Sequence, residues 1–184
     1  TYTYSLQAPS SAGNYQFNGE YIFENGLVNN IQGDTNIEVK IGKTIFVDNQ
    51  LTSDCTNGDY SIQFRTCSGN DGDAYNKLQD ALNVAAPGWN ILLREGFHDG
   101  NGVPGSSISK TVQSGLPGSP ITINTYNGES AVITGYGGPK GRCIQVFHDY
   151  IVIRNIECTN VSSFGKGIEC LSCNNFLVEN VKIH

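Results

Sequence analysis

The sequence predicts an all-β protein: a short right-handed parallel β-helix with one N-terminal capping helix, preceded by a small antiparallel β domain. Three observations point there. Strand-like segments repeat at offsets of 24 and 25 residues towards the C-terminus. Their apolar residues alternate with period two, so the repeating unit is built from strands rather than helices. Glycine is abundant at 22 of 184 residues while charged residues reach only 15%, a mixture of turn formers and short apolar runs unlike that of a disordered chain.

Residues 1–66 carry six β-branched or aromatic runs, at 1–6, 15–17, 21–23, 37–41, 44–47 and 61–64, punctuated by Asn-Gly, Gly-Asp and Asp-Asn steps. That pattern predicts antiparallel strands joined by tight turns, with a domain boundary between 1–66 and 67–184. The opening Thr1, Tyr2, Thr3 and Tyr4 alternate strictly. They suit an edge strand, which pairs either within its own domain or with the open edge of a neighbouring molecule. Residues 73–86 predict a helix: Leu78, Ala81, Leu82 and Ala85 fall on one face, Asp73 is placed as its N-cap, and Pro87-Gly88 ends it. Trp89-Asn90-Ile91-Leu92-Leu93 then reads as a buried strand, followed by a polar loop to Ser119.

From Pro120 the repeat takes over. The segment from Ile151 to Glu157 aligns with that from Phe176 to Lys182 at an offset of 25, and Cys143–Phe147 aligns with Gly167–Leu171 at an offset of 24. A looser copy runs through Ile121-Thr122-Ile123 and Ala131-Val132-Ile133. Coils of this length stack on one another as a solenoid. The repeat places Asn155 over Asn180, where side chains can form a hydrogen-bonded ladder and where Asn also tolerates the backbone of a turn.

Bulk properties narrow the partners. The net charge is −6, and eleven scattered Lys and Arg residues form no basic cluster, which argues against nucleic acid and anionic membrane surfaces. The same charge repels a polyanionic glycan unless Ca²⁺ bridges it. No apolar run is long enough to span a bilayer. The chain starts at Thr1 without an apolar leader, as expected of a processed form or of part of something longer. Six cysteines, Cys55, Cys67, Cys143, Cys158, Cys170 and Cys173, lack zinc-ligand spacing; with no methionine in the chain they favour disulfides and an extracellular location. Cys55 and Cys67 flank a hairpin-like stretch and form the expected pair, while the other four admit three pairings. Asn160-Val161-Ser162 is an N-glycosylation sequon.

The run Leu78-Gln79-Asp80-Ala81-Leu82, continuing to Ala86-Pro87-Gly88-Trp89-Asn90-Ile91, resembles the first coil of pectate-lyase-like β-helix proteins, although Asn90 stands where these usually carry Asp. Gly118-Ser119-Pro120-Ile121-Thr122-Ile123 and Tyr150-Ile151-Val152-Ile153-Arg154-Asn155-Ile156 resemble later steps of the same fold. The resemblance spans about 70–184 and implies the fold. Lyases of this kind use Ca²⁺ or another cation with a Lys or Arg base, and the repeat strands carry no clustered Asp for such a site. No cofactor is therefore expected: Asp71 and Asp73 could ligate Ca²⁺, but a helix N-cap accounts for them. Lys166 and Lys182 read as solvated positions. His98 and His148 lack a nucleophile at a defined spacing. Glu157, Glu169 and Glu179 read as outward strand positions rather than a glycosidase pair. Trp89 reads as packed where helix and first coil meet, although an exposed aromatic would suit sugar stacking.

The chain stops within a strand pattern, at Asn180-Val181-Lys182-Ile183-His184. The leading expectation is a non-catalytic extracellular structural protein that self-associates head to tail into a homopolymer, using Thr1, Tyr2, Thr3 and Tyr4 at one end and Val181 and Ile183 at the other. The alternative is the N-terminal portion of a secreted polysaccharide lyase or glycan-binding β-helix.

Overall fold

The structure is a computed structural model that describes residues 13–16, 20–22, 28–30, 36–39, 42–99, 109–135, 141–159 and 166–184. The chain forms two compact units, Thr1–Ile41 and Gly42–His184. In the first, β1 (Gly13–Gln16), β2 (Glu20–Ile22), β3 (Val28–Asn30) and β4 (Asn36–Val39) pair antiparallel, β1 with β4 and β2 with β3. Thr1, Tyr2, Thr3 and Tyr4 lie outside the described residues, as does the sequon residue Asn160.

The second unit is a parallel β-helix. It begins with β5 (Thr44–Val47), β6 (Asp73–Tyr75), the helix α1 (Leu78–Val84), β7 (Asn90–Leu93), β8 (Gly96–Asp99) and β9 (Ser109–Lys110). The next coil supplies β10 (Ile121–Thr125), β11 (Ala131–Thr134) and β12 (Ile144–Val146). A further one supplies β13 (Ile151–Arg154), β14 (Glu157–Thr159) and β15 (Ile168–Cys170), and β16 (Leu177–Glu179) with β17 (Lys182–Ile183) open the last described coil. Three parallel sheets result. The first has the order β16-β13-β10-β7-β5-β6, the second β17-β14-β11-β8 and the third β15-β12-β9.

Register explains the core. Ile45, Ile91, Ile123 and Ile153 stand in one column on the first sheet, all 0% exposed. On the second, His98, Ile133 and Cys158 stack inward. Each coil alone leaves one apolar face bare, and stacking buries the column from both sides. Ile144 continues the lining on the third sheet, and the helix closes the first coil with Leu78, Ala81 and Leu82. Gln79 of α1 has a separate task. Its carboxamide accepts from the Lys110 N–H (2.7 Å) and donates to the Lys110 carbonyl (3.1 Å), which covers the first edge of the third sheet as a neighbouring strand would.

Two expectations are corrected. The run 44–47 is no part of an antiparallel domain: Ile45 pairs in parallel with Ile91 and with Asp73, so β5 extends the first sheet of the β-helix. The run 61–64 is a turn closed by Ser61 and Thr66, with Arg65 at a φ of 56°. The antiparallel strands thus end at Val39 instead of reaching residue 66. The helix is also shorter than 73–86. Asp73 belongs to β6, and its carboxylate is taken by the Lys43 ammonium and the Gly58 N–H rather than by a helix terminus. Lys77 occupies the N-cap without a side-chain hydrogen bond.

The Asn ladder is present and longer than the repeat indicates. Asn180 donates to Asn155 (3.2 Å), and Asn155 donates to Asn124 (2.9 Å). Asn155 and Asn180 also adopt left-handed backbone, with φ of 57° and 50°, so both roles of the residue hold together. Asn155→Ala is expected to cost about 2 kcal/mol, from left-handed strain plus the lost ladder bonds. Asn155→Gly relieves the strain and should cost roughly half as much. Equilibrium urea unfolding of both variants separates the two contributions.

Candidate functional site

Three disulfides are formed: Cys55–Cys67, Cys143–Cys158 and Cys170–Cys173. Cys143 and Cys158 are 0% exposed and tie the start of β12 to β14 within the core. Cys55–Cys67 staples residues 49–72 over the edge of β6, where Cys55 and Ala74 exchange two backbone hydrogen bonds of 2.8 Å.

One polar cluster lies under this stapled loop, on the outside of the first sheet. Asp48, fully buried, accepts from Tyr60 Oη (2.6 Å), Arg65 Nε (2.9 Å) and Arg65 Nη2 (2.6 Å). Arg94 donates to Tyr60 Oη (2.7 Å) and forms a two-pronged pair with Glu129 at 2.9 and 3.0 Å. Burial works to raise the pKa of both carboxyls, but the hydrogen bonds from Arg65 and Tyr60 to Asp48, and from Arg94 to Glu129, outweigh it and hold both below their ordinary values. Burial and Asp48 together push the Tyr60 phenol upward. Phe46, Tyr60 and Tyr126 pack around the cluster, with ring centroids 5.2 and 5.7 Å from Phe46. Every charge here is spent on another residue of the cluster, so it acts as a fastener between the loop and the coils.

The second cluster lies on the outer face of the third sheet. Lys110, Gln145 and Glu169 are register partners on β9, β12 and β15, while their neighbours Ser109, Ile144 and Ile168 turn inward. Gln145 and Glu169 are each only 6% exposed. The Glu169 carboxylate accepts from Gln145 Nε2 (2.9 Å) and Lys166 Nζ (2.9 Å) and forms an ion pair with Arg142 Nε at 2.5 Å. Hydrogen bonds from Gln145 and Lys166 hold its pKa below the ordinary value against burial, with the Arg142 charge adding to them. The carboxyl therefore stays ionised, as an acceptor and not a proton donor. Lys166 keeps a side-chain exposure of 64% and Arg142 of 20%, so both cations can share a second anion. Two residues further along each segment stand Val112, Phe147 and Leu171, exposed by 47%, 37% and 51%. An apolar stripe thus runs beside a polar, net-cationic one.

The other candidates are kept apart. Glu157, Glu169 and Glu179 sit on three different sheets, so they flank no common cleft. Glu179 pairs with Arg154 and Glu157 with His184, each at 3.5 Å, and Lys182 is an exposed register partner of Glu157. His98 is 2% exposed inside the coil stack, its Nε2 2.7 Å from the Arg94 carbonyl oxygen. His148 Nδ1 lies 3.0 Å from Thr111 Oγ1, a contact the spacing did not disclose, but Thr111 is only 4% exposed and is no accessible nucleophile. Asp71 accepts from the Ile62 N–H (2.8 Å), so Asp71 and Asp73 are each engaged locally. Trp89 packs against the core with the Lys43 ammonium 5.1 Å from its ring centroid. No helix among the described residues is long and apolar enough to cross a membrane.

No protein-family model matches this chain, and no curated protein matches it. Among solved structures it is similar to the crystal structure of pectate lyase Pel9A, at 19% identity and a TM-score of 0.47. The match covers 69% of this chain and 32% of that one, so the chain spans about a third of that protein's length. The parallel β-helix stands on the strand register described above.

Proposed function

We propose that the chain is an extracellular β-helix module that binds an extended acidic glycan along the outer face of its third sheet. The observation that carries this reading is the convergence of Arg142 and Lys166 on the buried Glu169, within the column Lys110–Gln145–Glu169. Three cations against one carboxylate make this face locally positive on a chain of net charge −6. Local potential, rather than net charge, decides where an anion docks. The columns run across the strands with a rise of about 4.8 Å per rung, which suits a chain lying along the helix axis. Val112, Phe147 and Leu171 supply an apolar strip for the C–H faces of sugar rings, while Lys110, Arg142 and Lys166 supply polar contacts. The three disulfides are those of a protein matured in an oxidising compartment.

Calorimetric titration with acidic and neutral oligosaccharides tests this. Acidic chains should bind more tightly and weaken as salt rises. Lys166→Ala should reduce that affinity about tenfold, the size of one charge-assisted contact, with the fold retained because Gln145 and Arg142 still hold Glu169. Absence of binding by either class contradicts the reading.

Head-to-tail assembly is the second reading. Val178 and Ile183, register partners of the core residues Ile153 and Cys158, are exposed by 41% and 53%, and Val181 packs partly against the core. A surface of this kind stacks on a following coil, whether from the same chain or from a second copy. Sedimentation velocity over a wide concentration range separates the readings: growth into large species favours assembly.

A further inference from the structure

The Cys55–Cys67 staple has a neighbour, Asp59, whose backbone carbonyl accepts from the Gly69 N–H but whose carboxylate has no structural task. A carboxylate oxygen of Asp59 and the sulfurs of Cys55 and Cys67 all lie within 4.8 Å of one another. Asp59 Oδ1 is buried, yet takes no hydrogen bond from any described residue. A buried, unsatisfied carboxylate oxygen costs stability and asks for a reason. With both sulfurs in the disulfide, the trio is no thiolate metal site. The asymmetry of the bond is informative: Cys55 is 1% exposed, whereas Cys67 is open to solvent.

We propose that Asp59 is an electrostatic guard that keeps this exposed disulfide from being opened by thiols. An attacking thiolate reaches Cys67 Sγ. The new sulfur–sulfur bond forms there, the Cys55–Cys67 bond breaks, and the bonding pair leaves on Cys55 as a thiolate. A second thiol then attacks the mixed disulfide, releasing Cys67 and leaving the two external thiols joined, oxidised by the two electrons the protein gains. Negative charge is spread over all three sulfurs during the first exchange. Asp59 opposes both the approaching charge and the one developing on Cys55, which burial already disfavours. The staple holds the strand of Cys55 against the edge of β6, so slow exchange preserves the cover on that edge where thiols are present.

The test compares opening rates of each disulfide, by alkylation and mass spectrometry, in the intact protein and in Asp59→Asn. Two thiols of opposite side-chain charge, cysteamine and 3-mercaptopropionate, serve as attackers. Removing a unit charge at this separation should speed opening of Cys55–Cys67 roughly fourfold in a water-like dielectric. Each thiol's rate is normalised to its rate on an uncharged small disulfide, which removes the difference in thiol pKa. On that scale the unsubstituted protein should also favour cysteamine over 3-mercaptopropionate, a preference that added salt reduces and the variant weakens. Cys143–Cys158, read in the same sample, should keep its rate. Equal rates with and without Asp59 overturn the proposal. So does acceleration of both disulfides together, which would mark general loosening, and so does an absence of thiol preference in the unsubstituted protein.

Discussion

Replacing Arg65 with alanine is expected to lower the stability of the β-helix by about 3–5 kcal/mol, because it leaves a buried charge without its partner. Asp48 is 0% exposed and takes two of its hydrogen bonds from that guanidinium. Arg65 also reaches the Glu95 carbonyl oxygen at 3.0 Å, so its loss loosens the stapled loop from the first coil. Arg65→Lys should recover little, since an ammonium cannot place two parallel donors on one carboxylate. Urea unfolding at neutral pH checks both variants.

The same pair sets an acid limit. Asp48 and Glu129 have folded pKa values below their ordinary 3.8 and 4.5. A carboxyl depressed on folding contributes stability that is complete above its unfolded value and is lost as pH falls through the folded one. The protein should therefore hold nearly constant stability down to roughly pH 4.5 and lose it below that. In Arg65→Ala the burial of Asp48 is no longer offset by Arg65, so the protein starts less stable and the share of the acid loss due to Asp48 should shrink, flattening the profile. A variant whose pH profile parallels that of the unsubstituted protein would contradict the assignment.

Ile123→Ala carries the second large effect, about 4 kcal/mol. Ile123 is 0% exposed, and its register partners Ile91 and Ile153 lie directly above and below it in the stack. The strand backbones are fixed by pairing on both sides, so the stack has little freedom to collapse into the space left. Ile123→Val, which removes one methyl group, should cost only about 1 kcal/mol. A loss for Ile123→Ala as small as that for valine would mean that the column is loosely packed.

Much of this architecture was legible because solenoid contacts repeat. The offset of 25 that aligns Val152 with Leu177 is the offset at which the two residues pair, and the 24-residue offset pairs Ile144 with Ile168. The same periodicity carries the Asn155–Asn180 ladder. It also held the signal for the candidate site: Gln145 and Glu169 occupy equivalent outward positions of successive coils, so they had to be neighbours. What hid the site was the assumption that an outward Glu is solvated, whereas Arg142 and Lys166 cover this one. The Arg94–Glu129 and Arg65–Asp48 pairs had no such signal, being set by how the stapled loop lands on the first sheet. Thr44–Val47 misled for a simpler reason. A four-residue β-branched run has the same composition in either strand sense, and only the column of Ile45 with Ile91 makes it parallel.

The reading of the third sheet as a glycan-binding face is tested most directly by mapping amide chemical-shift changes while an acidic oligosaccharide is titrated into isotopically labelled protein. Changes should concentrate at Lys110, Gln145, Phe147 and Glu169, with the Asn124, Asn155 and Asn180 ladder undisturbed. Changes centred on the first sheet, or none at saturating oligosaccharide, would contradict it.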